Sequence, residues 1–146
     1  MKTVYSVIFL FCLIILLPVI PVYGSDWVEF WRFDDGSVFF YNKVNIKHRT
    51  KHIVHVWEKG VYSDEGREED IQFRRKEGLS TEGWDKLSHD LTLYEIDCKK
   101  RKYQILSGII YNTDGSIISS FSFDEPDWDY IPPDTMMDTL RKKVCK

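Results

Sequence analysis

Alternating apolar and polar residues divide the chain after position 25 into short segments typical of β-strands. Residues 27–33 carry aromatic side chains on both faces of such a strand, and residues 38–41 follow after a turn of Asp, Asp, Gly and Ser. A third alternating segment covers residues 53–57. The pattern predicts an antiparallel hairpin followed by a further strand.

Residues 94–123 predict a meander of three consecutive strands joined by two tight turns, with an Asp-Gly pair in the second turn. In its first strand, Glu95 and Asp97 are predicted to face solvent, opposite a core-facing side. The middle strand, residues 103–111, has apolar residues on both faces, which predicts a central strand covered on both sides. The last strand is predicted to direct three side chains inward: Ile117, Phe121 and Phe123.

The other segments predict loops and one helix. Residues 62–78 hold many charges of both signs and few apolar residues, which predicts a solvated, mobile loop. Residues 79–91 fit a helix only loosely and are interpreted as a loop or one or two helical turns. Residues 134–144 have a Thr135 cap, acids in the first turn and bases in the last, so they predict a helix that ends at Cys145.

The first 24 residues have the layout of a secretory signal peptide: one Lys, an apolar run and a small residue, Gly24, before the expected cleavage point. Pro18 and Pro21 favour cleavage over the alternative, an uncleaved segment that would be the chain's sole contact with a membrane. The sequence thus predicts a signal peptide at residues 1–24 and one domain at residues 25–146, a length that suits a single core.

The cysteines beyond the predicted signal peptide predict a disulfide. Only Cys98 and Cys145 remain there, and two cysteines in an exported chain indicate one bridge. The alternative is a pair of free, buried thiols. The bridge would join the end of the first meander strand to the end of the C-terminal helix.

The overall charge excludes one class of partner. The chain has 20 Lys and Arg against 23 Asp and Glu, a net charge of −3. Domains dominated by phosphate contacts are normally basic overall, so nucleic acid is not an expected partner.

The candidates for catalysis and metal binding are weak. Glu95 and Asp97 share a strand face, as the acid–base pair of a small secreted hydrolase would, but no opposed carboxylate or cleft is predicted. Cys98 with His89 would form a nucleophile and base only without the disulfide. Three histidines lie close together in sequence: His48, His52 and His55. No supporting Cys or carboxylate cluster indicates zinc, so the sequence predicts no enzyme, metal or cofactor.

A run of four basic residues is the candidate for ligand contact. The run occupies the predicted turn between the first two meander strands and consists of Lys99, Lys100, Arg101 and Lys102. Four like charges at a turn favour contact with an acidic partner, such as an anionic polysaccharide or an extracellular protein. The alternative is a solvated turn that keeps the sheet edge soluble.

Several motifs, in this order, resemble those of the bacterial surface-adhesin protein E family. They are YEIDC at residues 94–98, YNTDG at 111–115, Trp128 with Ile131 and Pro132, and a closing helix that ends in Cys145. The opening hairpin and the VHVW strand at residues 54–57 fit the N-terminal half of that family. The resemblance implies an α+β fold in which the hairpin and meander form an antiparallel sheet of about six strands. It also implies a C-terminal helix packed on that sheet and the bridge from Cys98 to Cys145.

The same resemblance implies the function: an exported bacterial adhesin-like binding protein for extracellular-matrix or other macromolecular ligands, without catalysis. The alternative is a periplasmic or envelope-associated structural protein. Members of the family are lipid-anchored, whereas Cys12 of this chain lies inside the apolar run with no small residues before it. Periplasm, cell surface and secretion all remain open as locations, and so does the oligomeric state, a dimer included.

Overall fold

Residues 26–146 form one antiparallel sheet with two helices and a 3₁₀ turn. The structure, a computed structural model, describes residues 26–146, and the predicted signal peptide lies outside them. The elements in chain order are β1 (Trp27–Arg32), β2 (Val38–Asn42), β3 (Lys47–His48), β4 (Ile53–Val61), α1 (Asp64–Lys76), the 3₁₀ turn (Trp84–Lys86), β5 (Leu87–Asp97), β6 (Lys102–Asn112), β7 (Ile117–Ser122), β8 (Asp129–Tyr130) and α2 (Met136–Val144). Among the described residues, no helix is both long enough and apolar enough to cross a bilayer.

Six strands form the sheet in the order β1-β2-β4-β5-β6-β7, and the two-residue strands β3 and β8 pair with β4 and β6. All the pairings are antiparallel. The predicted hairpin is β1 and β2, and the predicted meander is β5, β6 and β7. The α+β class and the sheet of about six strands are therefore confirmed.

Both helices pack on the same face of the sheet. Leu140 and Val144 of α2 are buried against Val54 and Ile96, which lie directly opposite each other on β4 and β5. A second cluster holds Ile71 of α1 together with Trp84 and Leu87, and partly buried Tyr62 and Ile110 pack against it. Side chains on the opposite face, such as Trp57 and Leu93, are only half-buried. The core thus lies between one side of the sheet and its two helices.

The prediction of a mobile loop at residues 62–78 is wrong, because this segment forms α1. The Ser63 side chain caps the helix by accepting a hydrogen bond from the Gly66 N–H at 2.9 Å. Acids occupy the first turn and bases the last, which suits the helix dipole. Ile71, only 7% exposed, supplies the buried contact. Its packing against Trp84 and Leu87 supplies the tertiary contact on which most of a helix's stability in a protein depends.

The predicted loop at residues 79–91 is correct only in its first part. The single helical turn at Trp84–Lys86 matches the prediction, but β5 already begins at Leu87. Asp97 at the other end of β5 does not face solvent as predicted, since it is only 8% exposed. Its carboxylate turns back to bond the following backbone, which removes it from water.

The prediction that residues 103–111 form the central strand is also wrong. β6 lies next to the edge strand β7, while β4 and β5 are the central pair. A register shift opposite Leu93 and Tyr94 places Leu106 in a bulge, so Ile105 and Ile110 both face the helices. The strand is apolar on its other face because that face is itself half-buried.

The last meander strand does not bury the three side chains predicted to point inward. Ile117 is 58% exposed, Phe121 37% and Phe123 53%. β7 is the edge of the sheet, and neither core cluster reaches Phe121 or Phe123. The alternation of apolar and polar residues is present, but no helix covers this end.

The helix α2 begins at Met136, two residues later than predicted, with Thr135 as its cap. The Thr135 Oγ1 accepts a hydrogen bond from the Asp138 N–H at 3.2 Å. We expect Thr135→Ala to reduce the free energy of unfolding by about 1 kcal/mol and the melting temperature by about 4 °C. Thermal unfolding followed by circular dichroism measures this, with Thr113→Ala in an exposed turn as the control. Equal melting temperatures for the two variants would contradict the capping role.

Candidate functional site

Three basic segments lie together at one end of the sheet, here called the basic end: residues 47–52, 99–102 and 141–146. They are β3 with the bend before β4, the turn between β5 and β6, and the last turn of α2 with the residues after it. Eleven of the 20 Lys and Arg residues of the chain fall in these segments, and none of the segments contains Asp or Glu. The fold therefore concentrates positive charge that the sequence distributes over three separate stretches.

Covalent and backbone bonds hold the three segments in place. The Cys98–Cys145 disulfide joins the β5–β6 turn to the end of α2, with the two Cα atoms 5.7 Å apart. The backbone N–H of Cys98 donates to the carbonyl of His52 at 2.8 Å, which ties the β3–β4 bend to the same point. The predicted bridge is thus confirmed, and it lies at the centre of the basic end.

The turn that carries the four predicted contact residues has a fixed backbone. The Asp97 Oδ1 accepts hydrogen bonds from the backbone N–H groups of Lys99, at 3.0 Å, and Lys100, at 2.8 Å. Arg101 adopts a φ of 54°, the left-handed conformation that closes the turn. The side chains of Lys99 and Lys100 extend into solvent, although Lys100 Nζ lies 3.9 Å from Asp97 Oδ2. These two lysines are the most accessible charges of the turn.

Asp138 organises the cations on the α2 side of the basic end. It is 1% exposed, and its carboxylate oxygens lie 3.2 Å from Arg101 Nη2, 2.9 Å from Arg141 Nη2 and 2.7 Å from Lys142 Nζ. Hydrogen bonds from Lys142 and Arg141 hold the pKa of Asp138 well below its ordinary value, so the group is ionised at neutral pH. One carboxylate balances only one of three cations, and the region remains positive.

Negative charge collects at the opposite end of the sheet. The first half of α1, which follows the far end of β4, carries five acids: Asp64, Glu65, Glu68, Glu69 and Asp70. β4 has 9 residues, a length of about 30 Å at the usual rise of an extended strand. These five acids lie at the other end of β4 from the basic end, and the same helix also carries four bases, Arg67, Arg74, Arg75 and Lys76.

The family model for surface-adhesin protein E matches residues 27–146, nearly the whole described region. This chain belongs to the surface-adhesin protein E family. A solved structure with a similar fold is the crystal structure of protein E from non-typeable Haemophilus influenzae. The similarity has a TM-score of 0.51 and 11% sequence identity, over 88% of this chain and 81% of that chain. No curated protein matches the sequence significantly.

The carboxylates considered for catalysis have other roles in this family member. Glu95 receives a hydrogen bond from Gln104 Nε2 at 2.6 Å, and its second oxygen lies 2.6 Å from His55 Nε2. Asp97 caps the β5–β6 turn, so the two carboxylates do not form an acid–base pair. Cys98 is in the disulfide, at the opposite end of β5 from His89.

The three histidines also do not converge. His55 bonds Glu95 from β4, while His48 and His52 are exposed at the end of β3 and in the adjacent bend. In the part of the chain that the structure describes, no group of three or more His, Cys, Asp or Glu side chains is arranged to hold a metal ion.

Sequence reasoning identified the basic turn but missed its neighbours. The two other segments, residues 47–52 and 141–146, were visible as a basic bend and as the basic last turn of a helix. The predicted bridge from Cys98 to Cys145 already places the end of α2 beside the β5–β6 turn. That bridge is the signal in the sequence that could have revealed this part of the basic end. The approach of the bend depends on the β4–β5 register, which no local pattern specifies.

Proposed function

We propose that this surface-adhesin protein E family member is an exported adhesin-like protein that binds a polyanionic macromolecule through its basic end. The observation that carries the proposal is the concentration of eleven Lys and Arg residues in three segments around one disulfide. Among residues 26–146, only two carboxylates bond to these segments, Asp97 and Asp138, and both are buried. An exposed, rigidly held group of cations fits a ligand with repeated negative charges.

Lys99 and Lys100 are the best positions for a test, because Arg101 is paired with Asp138 and Lys102 lies over the ring of Tyr130. We expect the double variant Lys99→Gln and Lys100→Gln to bind a heparin oligosaccharide about tenfold more weakly at low salt. Isothermal titration calorimetry measures the loss, and retention on a heparin column should fall in parallel.

A double variant with the same change in net charge serves as the control. Arg75→Gln and Lys76→Gln remove two exposed charges from the end of α1, outside the basic end. The proposal would be overturned if the Lys99 and Lys100 variant bound heparin as tightly as the unsubstituted protein. It would also be overturned if both double variants lost the same amount of affinity. Repeating the titration with polyglutamate distinguishes an acidic polypeptide from an anionic polysaccharide as the ligand.

The location of the protein separates adhesion from the alternative, a structural role in the periplasm or envelope. An adhesin must be accessible from outside the cell, so we expect protease added to intact producing cells to degrade it. Protection from protease until the outer membrane is permeabilised would favour the structural role. Absence of catalysis remains a prediction from the sequence.

A further inference from the structure

A second surface, the segment of residues 121–130 from the end of β7 to β8, exposes several large aromatic side chains. Four of its rings are well exposed: Phe121 at 37%, Phe123 at 53%, Trp128 at 37% and Tyr130 at 72%. Large apolar groups exposed together usually mark an interaction surface rather than ordinary surface composition. Here called the acidic–aromatic segment, this stretch lies beside the basic end, since Tyr130 pairs with Lys102 of the turn between β5 and β6.

Three of the four rings are positioned by contacts with the sheet or with each other. Phe121 lies over Gly108 of β6, so close that its ring leaves no room for a Cβ atom at that position. Phe121 also contacts Phe123, with ring centroids 5.5 Å apart. The segment returns to the sheet at β8, where Tyr130 pairs with Lys102. A partner would therefore meet aromatic groups that are already positioned, which lowers the entropic cost of binding.

A shallow cavity lies in the middle of the segment. Its volume is about 250 Å³, and it is lined by Ile105, Phe123, Glu125, Pro126, Asp127 and Asp129. The cavity combines an apolar wall with carboxylates and has no basic residue in its lining. It is large enough for one long side chain of a partner.

The charge of the segment determines which side chain would fit. Asp124, Glu125, Asp127 and Asp129 lie within six residues of sequence, and residues 121–130 contain no Lys or Arg. Across residues 26–146, none of these four carboxylates forms an ion pair. A lysine already contacts one of these rings within the protein, because Lys102 Nζ lies 4.5 Å above the ring of Tyr130.

We propose that the acidic–aromatic segment is a second docking surface, for a lysine- or arginine-bearing segment of a partner polypeptide. A cationic side chain enters the cavity between Glu125 and Asp127, with its aliphatic part against Phe123. The exposed rings bind further cations through their faces. The protein would then bind polyanions at one surface and a basic polypeptide at another.

The probe for the test is a synthetic oligolysine peptide, and it is titrated into the full mature chain. Residues 26–146 of that chain form the described domain. We expect amide chemical shifts to move at residues 121–130 and to stay unchanged along α1, the other acidic region. Equal shifts along α1 would indicate attraction to any acidic surface and would overturn the proposal.

Two variants and a matched control measure how much the carboxylates and the Phe123 ring contribute to peptide binding. We expect Glu125→Gln with Asp127→Asn to weaken peptide binding about tenfold, and Phe123→Ser to weaken it by a similar factor. The control, Glu65→Gln with Glu69→Gln on α1, removes the same charge and should change binding by less than about twofold. All these positions are exposed, so unchanged melting temperatures would confirm that the variants fold.

The remaining outcomes are decisive as well. Full affinity in Phe123→Ser would overturn the proposal, since charge alone would then explain binding. Binding of a neutral oligosaccharide at residues 121–130, without binding of the peptide, would also overturn it, because exposed aromatic rings stack on sugars too. The variant Lys99→Gln with Lys100→Gln should keep its affinity for the peptide, which makes failure here distinguishable from failure of the polyanion proposal.

Discussion

Replacing both Cys98 and Cys145 by serine will lower the free energy of unfolding by about 4 kcal/mol, the value that loop-closure entropy gives for a bridge with a sequence separation of 47. The bridge restricts the unfolded chain over a third of its described length, from the end of β5 to the end of α2. In a domain of this size the loss corresponds to a melting temperature lower by about 15 °C.

Function should respond to the same change, because the bridge brings residues 141–146 beside residues 99–102. We expect the double serine variant to bind heparin oligosaccharide more weakly even at temperatures where it remains folded. Reduction of the unsubstituted protein should reproduce both effects, while the reductant should not affect the variant. A melting temperature within a few degrees of that of the oxidised protein would contradict the stabilising role of the bridge.

The parts of the fold that the sequence predicted correctly are those with a local signal. The hairpin of β1 and β2 follows from its turn residues, and α2 from the cap at Thr135 and the basic last turn. The bridge follows from the predicted export and from the two cysteines that lie beyond the predicted signal peptide. These features need no knowledge of which strands lie side by side.

The errors arise where distant residues decide the structure. α1 contains few apolar residues, and its stability depends on Ile71 meeting Trp84 and Leu87, which no local pattern reveals. The same apolar spacing that predicts a buried strand is present in β7, yet the strand lies at the edge and Phe121 and Phe123 are exposed. The order of the strands in the sheet decides which side chains the helices cover, and the alternation of apolar and polar residues does not specify that order.

The candidate site shows the same division. The four residues of the basic turn are visible in sequence because they are adjacent. Their relation to Asp138, which pairs with Arg101 across 37 positions, becomes visible only in the structure. Phe121 and Phe123 of the acidic–aromatic segment were predicted to point inward for the same reason, since their exposure depends on where the helices end.

A buried carboxyl group, Glu58, lies close to a half-buried one, Asp90, on the helix-covered face of the sheet. Glu58 on β4 is 2% exposed, on the same face as Val56, and it lies opposite Thr92 of β5. Asp90 is nearby on β5, where the Thr92 hydroxyl donates a 2.8 Å hydrogen bond to its carboxylate. Glu58 Oε2 has no hydrogen-bond partner among the described residues. Burial, followed by the charge of Asp90, raises the pKa of Glu58 well above its ordinary value.

The raised pKa makes stability depend on pH with a definite sign. The folded protein holds the Glu58 proton more tightly than the unfolded chain does, so unfolding releases a proton. The contribution of Glu58 to stability is therefore fully present below the ordinary pKa of about 4.5 and is lost as the pH rises through the raised value. The loss cannot exceed about 1.4 kcal/mol per pH unit for one proton.

We expect Glu58→Gln to remove this dependence, because the amide keeps the shape of the protonated acid and does not ionise. Below pH 5 the variant and the unsubstituted protein should have similar free energies of unfolding, whereas at pH 8 the variant should be more stable by about 2 kcal/mol. Urea denaturation across this range measures the difference. Glu125→Gln, at an exposed position, should keep the pH profile of the unsubstituted protein. Parallel profiles for the Glu58 variant and the unsubstituted protein would show that folding does not raise the pKa of Glu58, which would contradict the prediction.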